Sequence, residues 1–258
     1  MLTHRTANIG LFVLLAVALL VHNLWLTLPW WLFLLLPVPY VAALVWGACN
    51  IGSDFYVPVV CAADTQEKKI AITFDDGPLE AYTPVILDIL RQEQVTAAFF
   101  CIGDRIGGRE ALLRRIDAEG HVIGNHSFSH HFWFDMFGPA KMLTELQQMD
   151  TTVENVTGKR PRLFRPPYGV TNPNLAKAIR RGAYTPIGWN IRSLDTVAKD
   201  KAELFSRIKK GIRPGAVLLM HDSMEVTAQV LPELIQHLKK EGYRIERIDK
   251  LLNIPAYA

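Results

Sequence analysis

The sequence predicts an α/β protein in which helices cover a parallel sheet. Short apolar runs rich in β-forming residues alternate with longer helix-like segments through most of the chain after residue 68. The apolar runs are nearly continuous, as expected of strands that are buried on both faces. Several helix-like segments end at a glycine, for example at Gly120, Gly182 and Gly242. This pattern is typical of either a doubly wound sheet or a (β/α) barrel.

Seven apolar segments are predicted as strands. They are residues 70–75, 95–103, 121–127, 162–169, 183–191, 216–222 and 243–249. The helices predicted between them lie near residues 81–94, 108–120, 138–157, 173–182, 198–212 and 226–241. This number of strands and intervening helices favours a barrel over an open sheet, although counting does not establish that the barrel closes.

A strongly apolar region precedes this alternation. Residues 6–53 contain no Asp, Glu, Lys or Arg. As a single helix, the run would be roughly twice as long as a bilayer core is thick. We therefore predict that residues 1–53 form a membrane anchor with two transmembrane helices, at about residues 9–25 and 30–49. Three tryptophans lie near the turn between these helices, where they suit a membrane interface.

Two alternatives to a hairpin stay open for the apolar region. It is either a cleaved signal peptide, although it is far longer than a signal core, or a single span followed by an interfacial segment. For the hairpin, Arg5 before the spans and Lys68 and Lys69 after them agree with two cytoplasmic ends. So few charges leave the side of the membrane open. The predicted location is therefore a multi-pass protein of the cell membrane.

The rest of the chain has the composition of an ordinary globular domain. Of the 28 Lys and Arg and 25 Asp and Glu residues, only Arg5 precedes residue 54, so no basic face for nucleic acid is expected. The three cysteines, Cys49, Cys61 and Cys101, follow no metal-binding or redox spacing. We predict a linker at residues 54–67 and one domain at residues 68–258.

Polar side chains collect at the carboxyl ends of the predicted strands. In a parallel α/β fold, this edge of the sheet is where ligands bind. Taken one at a time, such residues are more often structural than catalytic, but their position predicts one shared site. The residues concerned are Asp75, Asp76, His126, His130, Arg165, Tyr168, Asp195 and His221.

The segment NHSFSH contains two histidines four residues apart, His126 and His130. On a turn of helix this spacing places both imidazoles on one face. Either Asp75 or Asp76, from the DDGP turn, would complete a metal site of two histidines and one carboxylate with positions left for water and substrate. The other aspartate would then stand beside that water as a general base. The alternative for DDGP is a turn with solvated carboxylates.

Three further segments carry candidates for catalysis. In RPPYG, Arg165 can keep the base carboxylate ionised, and a backbone N–H after the prolines can face an oxyanion. An ordinary surface turn is the alternative there. SLDT and AVLLMHDS place Asp195 and His221 at two strand ends. Such a pair would orient the imidazole and keep it charged, as a general acid requires.

In their order along the chain, TFDDGP, NHSFSH, RPPYG, WNIRSLDT and LLMH resemble the five motifs of the polysaccharide deacetylases, carbohydrate esterase family 4. The family shares the homology domain of the nodulation-type chitooligosaccharide deacetylases, and the resemblance covers residues 68–250. It implies a distorted (β/α) barrel of seven or eight strands. It also implies a divalent metal, most often Zn²⁺, with Co²⁺, Ni²⁺ or Mn²⁺ as alternatives.

The resemblance also assigns roles to single residues. It implies that Asp75 is the base and that the metal ligands are Asp76, His126 and His130. The other implied roles are a tether of the base for Arg165, an oxyanion donor for the Tyr168 amide, an orienting carboxylate for Asp195, the general acid for His221, and a wall of the acetyl pocket for Leu219.

The fourth motif departs from the family pattern. Trp189 opens it, but Arg192 stands where the first Asp is usual and Thr196 where a second Trp is usual. Losing that Trp removes a wall near the substrate, and Arg192 adds a charge beside it. We count Trp189 and Arg192 among the predicted substrate-binding residues, and we expect these departures to affect specificity more than chemistry.

The sequence thus predicts a membrane-anchored, metal-dependent hydrolase of carbon–nitrogen bonds that removes the N-acetyl group of an N-acetylated amino sugar in a polysaccharide or oligosaccharide. Its expected partners are this glycan and the lipid bilayer, without nucleic acid. Three alternatives stay open: a deacylase or deformylase of a polyprenyl-phosphate-linked amino sugar, an O-acetyl esterase, and an inactive sugar-binding scaffold. The sugar, the native metal and the oligomeric state do not follow from the sequence.

Overall fold

A computed structural model describes residues 2–258. The chain begins with helices α1 (His4–Leu24), α2 (Trp30–Leu35) and α3 (Val38–Cys49). By length and composition, His4–Leu24 and Trp30–Cys49 are each able to cross a membrane. The first helix starts before the predicted residue 9 because Thr3 caps it: the Thr3 hydroxyl accepts the Thr6 N–H at 3.2 Å. The predicted anchor starts at residue 1, which lies outside the described residues.

One sheet of eight strands forms the centre of the remaining chain. The strands are β1 (Lys69–Asp75), β2 (Ala98–Cys101), β3 (Val122–Asn125), β4 (Leu163–Phe164), β5 (Thr185–Pro186), β6 (Ile191–Arg192), β7 (Ala216–His221) and β8 (Arg244–Ile245). Their order is β5-β4-β3-β2-β1-β7-β6, with β8 pairing with the start of β1, and the paired strands are parallel. The sheet curls into a half-barrel, which confirms the predicted (β/α) barrel class.

Helices connect the strands along the outer face of the sheet, as predicted. They are α4 (Thr83–Gln92), α5 (Glu110–Ala118), α6 (Pro139–Thr157), α7 (Pro173–Gly182), α8 (Lys201–Gly211), α9 (Glu225–Lys240) and α10 (Ile248–Leu252). The sequence misses α10, which occupies residues assigned to the last predicted strand.

The predicted strand over residues 183–191 is wrong in extent, since it divides into β5 and β6. Between the two strands, the carbonyls of Ile187 and Gly188 accept hydrogen bonds from the buried Arg165 side chain, at 3.4 and 3.0 Å. Because the backbone turns toward this arginine, it leaves the ladder that a continuous strand would form.

Residues 54–67, predicted as a linker, pack in part against the sheet. Val57 and Val59 are buried in one apolar cluster with residues of α6 and α7. The Val60 N–H donates to the Pro186 carbonyl at 3.0 Å, and Ala62 forms an antiparallel bridge with Ala216, the first residue of β7. This segment therefore touches both sides of the opening in the sheet and belongs to the folded domain.

A substitution in this segment tests its contribution to stability. Val57→Ala is expected to lower the free energy of unfolding by about 2 kcal/mol, because it removes buried methyl groups and leaves a cavity. Asp64→Ala, at an exposed position of the same segment, is the matched control and should change it little. Denaturant unfolding of both full-length variants in detergent measures the difference. Equal midpoints would show that the segment is only a tether.

Alternation along β1 directs side chains to the two faces of the sheet. Ile70, Ile72 and Phe74 pack beneath the outer helices. The intervening Thr73 and Asp75 therefore point into the barrel interior. Since Asp75 is the last residue of β1, its carboxylate lies at the carboxyl edge of the sheet.

Candidate active site

A cavity of about 260 Å³ opens at the carboxyl edge of the sheet. It is lined by Asp75, Asp76, His126, His130, Pro166, Tyr168, Gly169, Trp189, Arg192, Leu194, Thr196, Leu219 and His221. The two remaining predicted site residues, Arg165 and Asp195, are fully buried and hydrogen bonded to residues of the lining. The structure therefore brings every predicted site residue to one place.

Asp75 forms a buried ion pair with Arg165. The Arg165 Nη1 donates to Asp75 Oδ1 at 2.6 Å and to the Thr73 hydroxyl at 2.7 Å. The guanidinium carbon lies 4.0 Å from the centre of the Phe100 ring. Burial lowers the pKa of Arg165 and the charge of Asp75 acts in the opposite direction. This arrangement fixes one carboxylate oxygen of Asp75 and leaves the other for the cavity.

Asp76, His126 and His130 form a cluster whose ligand atoms all lie within 4.8 Å of one another. Asp76 Oδ1 is 3.7 Å from His126 Nε2 and 3.8 Å from His130 Nε2. The His126 Nδ1 lies 2.8 Å from the Arg165 carbonyl. A carbonyl only accepts, so Nδ1 carries the hydrogen and Nε2 offers its lone pair to the cluster.

The donor set fits a divalent cation. Burial and the nearby His126 lower the pKa of His130 to about 4, so at neutral pH its imidazole is uncharged, as a metal ligand must be. Two imidazole nitrogens and one carboxylate oxygen are ligands that Zn²⁺ prefers, and three protein ligands leave positions for water and substrate. The three residues that the sequence predicts as ligands are the ones in this cluster.

The two histidines do not lie on a turn of helix, contrary to the expectation from their spacing. Residues 126–130 form a loop after β3, with Ser127 and His130 in the left-handed region at φ of 65° and 46°. The Asn125 side-chain oxygen accepts the Ser127 N–H at 2.9 Å, and the Ser127 hydroxyl accepts the His130 N–H at 3.0 Å. These bonds fold the loop so that the imidazole centres are 4.8 Å apart.

His221, the last residue of β7, is held by Asp195. Asp195 Oδ1 lies 2.7 Å from His221 Nδ1, and Asp195 Oδ2 accepts the His221 backbone N–H at 2.7 Å. Burial by itself would lower the pKa of His221, but the bond to Asp195 and the negative charges of the site outweigh it and raise the pKa to about 9. The imidazole is therefore charged at neutral pH, with Nε2 free to donate a proton.

This pair predicts a pH dependence. The raised pKa stabilises the fold fully below about pH 6.5, and this contribution is lost as the pH rises through about 9. We expect the alkaline limb of kcat/KM to fall near the same pH. In Asp195→Asn, burial acts without the opposing charge, so the limb should move to lower pH. A kcat/KM profile checks this against the exposed control Asp64→Asn, and identical profiles would contradict it.

The predicted substrate-binding residues surround the metal-ligand cluster. Tyr168 adopts φ of 60° and carries the first backbone N–H after two prolines. Leu219 is buried in the cavity wall, and the Arg192 guanidinium carbon lies 5.9 Å from the centre of the Trp189 ring. Gly169 has φ of 71°, and a Cβ there would come within 2.6 Å of Trp189. This glycine therefore lets the Trp189 ring pack against the loop.

Sequence reasoning missed the side chains that support the site. The Thr227 hydroxyl donates to Asp195 Oδ2 at 2.6 Å, and nothing in its helix distinguishes Thr227 from an ordinary core threonine. Asp222 is fully buried and accepts the Thr83 hydroxyl at 2.6 Å. Burial and the charges of the two site aspartates raise the pKa of Asp222 to about 7. Its place directly after His221 was the available signal.

Comparison with known proteins agrees with this geometry. A family model described as polysaccharide deacetylase matches residues 62–187. The chain is 35% identical over 193 residues to the peptidoglycan-N-acetylmuramic acid deacetylase PdaA of Bacillus subtilis, and the match covers 73% of each chain. The solved structure of that PdaA, described as a family 4 carbohydrate esterase, has a TM-score of 0.69 at 33% identity and covers 76% of this chain and 85% of PdaA.

Two further solved structures show the range of the family. The Bc1960 peptidoglycan N-acetylglucosamine deacetylase has a TM-score of 0.73 at 25% identity and covers 78% of this chain and 95% of its own. BA3943 of Bacillus anthracis, a pseudoenzyme of carbohydrate esterase family 4, has a TM-score of 0.70 at 26% identity, with 74% of this chain and 68% of its own covered. Fold, motifs and identity together show that the chain belongs to the polysaccharide deacetylase family of carbohydrate esterases.

Proposed function

We propose that the protein hydrolyses the N-acetyl group of an N-acetylated amino sugar in a glycan. The observation that carries this proposal is the pairing of Asp75 with His221 on neighbouring strands, beside the cluster of metal ligands. One group is a carboxylate fixed by a buried arginine and the other is a charged imidazole fixed by a buried carboxylate. The relatives described above are named as deacetylases of N-acetylglucosamine and N-acetylmuramic acid in peptidoglycan, which supports the same class of substrate.

In this proposal Asp76, His126 and His130 hold a divalent metal, for which Zn²⁺ is the first candidate and Co²⁺, Ni²⁺ and Mn²⁺ are alternatives. Such an ion supplies Lewis acidity to the amide carbonyl and lowers the pKa of water. The arrangement of free Nε2 atoms and a carboxylate oxygen supports this assignment, because these are the donor atoms that such ions bind.

The other side chains have separate tasks. Asp75 accepts the proton of the attacking water through the oxygen that Arg165 does not hold. The Tyr168 N–H donates to the amide oxygen as negative charge develops there. His221 Nε2 then donates its proton to the amine nitrogen as the C–N bond breaks, which leaves acetate and a free amino sugar. Leu219 and Trp189 provide apolar walls against which the acetyl group and the sugar can pack.

A second candidate function is deacylation or deformylation of a polyprenyl-phosphate-linked amino sugar. The observation that favours it is Arg192, whose exposed guanidinium lies at the cavity where a carboxylate is usual in the family. A guanidinium binds phosphate through paired hydrogen bonds. Hydrolysis of O-acetyl esters uses the same groups. An inactive scaffold, as in the pseudoenzyme BA3943, is less well supported because the base, the acid and the ligands are all present by residue type.

We also propose that residues 1–53 anchor the protein in a membrane as a multi-pass hairpin. Support comes from the exposure of apolar side chains along both helical segments, including Phe12, Leu20 and Trp30. Such surfaces need a cover that water does not provide. Residues 68–258 would then be the catalytic domain, with residues 54–67 packed against it.

Release of acetate tests the proposed function directly. Full-length protein in detergent is stripped of metal, reloaded with Zn²⁺ or Co²⁺, and given N-acetylglucosamine oligomers or peptidoglycan. We expect acetate release that disappears on stripping and returns on reloading, because the carbonyl and the water both depend on the cation. A folded, metal-loaded protein that releases acetate from neither substrate would contradict the proposal and favour the lipid-linked sugar.

A further inference from the structure

Large exposed apolar side chains are unevenly distributed over the catalytic domain. Among residues 50–258, all within the described part of the chain, seven such side chains are exposed, and six of them lie on loops at the cavity mouth. We call these six the apolar rim: Phe132, Trp133, Met136, Tyr168, Leu194 and Val197. The seventh, Val85, lies on α4. Clustering of this kind marks an interaction surface, whereas single exposed apolar residues do not.

The rim borders the cavity on two sides. Tyr168 and Leu194 line the cavity itself, and Phe132 and Trp133 follow the ligand His130 by two and three residues. Met136 and Phe132 are among the most exposed of the six, at 71% and 68%. Whatever covers the rim therefore also faces the entrance through which substrate reaches the site.

Hydrogen bonds connect the rim to the end of the apolar helices. The Thr171 N–H donates to the Ala48 carbonyl at 3.1 Å, and the Thr171 hydroxyl donates to the Gly47 carbonyl at 3.2 Å, both in the last turn of α3. The next residue, Asn172, donates from its side chain to the Asp135 carbonyl at 2.6 Å, inside the loop that carries Phe132 and Met136. The helices thus leave the domain at the edge where the cavity opens.

We propose that the apolar rim rests on the bilayer that holds the apolar helices, so that the catalytic cavity opens toward the membrane surface. This inference rests on the membrane anchoring proposed above. Trp and Tyr favour the interfacial layer of a membrane, and Phe, Leu and Met side chains gain free energy by entering it. A glycan is a poorer occupant, because Phe132, Met136 and Val197 offer no polar group to its hydroxyls. The substrate is then an amino sugar presented close to the membrane.

Photolabelling tests the contact without relying on activity. The full-length protein is reconstituted in vesicles of phosphatidylethanolamine and phosphatidylglycerol that contain a phospholipid with a diazirine on its acyl chain. After irradiation, mass spectrometry locates the lipid adducts. We expect adducts on residues 132–136 and 194–197 as well as on α1 and α3, and none around Val85. Adducts confined to residues 4–49 would overturn the proposal, and absence of adducts from the helices as well would overturn anchoring and proposal together.

A double variant separates the bilayer from a glycan as the occupant. Phe132→Ser with Trp133→Ser is expected to reduce labelling of residues 132–136 by at least about tenfold. Its affinity for N-acetylglucosamine oligomers in detergent, measured by calorimetry, should equal that of the Val85→Ser control. Weaker oligomer binding with unchanged labelling would assign the rim to the glycan and overturn the proposal. Neither measurement requires turnover, so both are independent of the acetate assay.

Discussion

Asp75→Asn is expected to lower kcat by at least about 10³-fold while the protein still binds its divalent metal. The amide oxygen of Asn cannot accept a proton from water at neutral pH, and the three proposed metal ligands are unchanged. The side chain keeps its shape, so it can still accept the hydrogen bond from Arg165. Loss of turnover with metal retained would separate the role of a base from that of a ligand.

The same variant has a second expected effect. Arg165 is fully buried, and Asp75 is the carboxylate with which it pairs. Removing one charge of a buried pair leaves the other uncompensated, which costs on the order of 3 kcal/mol of unfolding free energy. Denaturant unfolding should therefore show a lower midpoint for Asp75→Asn, and kinetic assays must be run where the variant is folded.

The matched control for Asp75→Asn is Asp88→Asn. Asp88 pairs with Arg115 at 2.7 Å on the outer helices, and its side chain is 47% exposed. Because exposed pairs contribute little, this variant should keep both kcat and most of its stability. Metal content is measured for all three proteins by mass spectrometry of the dialysed samples. If Asp75→Asn retains turnover within about tenfold of the original protein, Asp75 is not the base.

His130→Gln is the second substitution with a large expected effect. We expect metal affinity to fall by at least about 10²-fold, because one of the three proposed ligands is lost, and turnover to fall with it. The neighbouring His131 is exposed, and its Nδ1 accepts the Trp133 N–H at 3.0 Å without facing the cluster. His131→Gln therefore changes the same side chain one residue away and should leave metal affinity unchanged.

Competition with a chromophoric chelator measures the metal affinity of both histidine variants. Equal affinities for His130→Gln and His131→Gln would exclude His130 as a ligand. Lost affinity with full turnover under saturating metal would show instead that His130 holds the ion but contributes little to the reaction. Circular dichroism of each variant establishes that the loop substitution has not unfolded the domain.

Local sequence patterns predicted the arrangement of strands and helices well. The strands β1 and β7 carry long apolar runs, and the helices α4 to α9 lie within a few residues of the predicted ranges. The two-residue strands were predicted poorly because so short an element has little pattern of its own. Residues 183–191 read as one strand in sequence, yet the buried Arg165 draws the backbone out of the ladder between β5 and β6.

The loop of His126 and His130 shows a second limit of sequence reasoning. Their spacing agrees with a helical turn, but bonds from Asn125 and Ser127 fold the loop differently and still bring the imidazoles together. Residues 54–67 show a third limit, since no strand pattern marks Val57 and Val59 as part of the core. Their burial depends on an opening in the sheet that only the assembled fold contains.

By itself, the sequence determined the fold class, the apolar character of the N-terminal region and the identity of the polar residues at the strand ends. These features follow from local periodicity and from the rule that parallel strands present their carboxyl ends at one edge. Only the tertiary structure decided which atoms meet there, which hydroxyls support them, and that α3 ends beside the cavity mouth. Such contacts join residues far apart in sequence, as with Thr171 and Ala48, and packing rather than local pattern selects them.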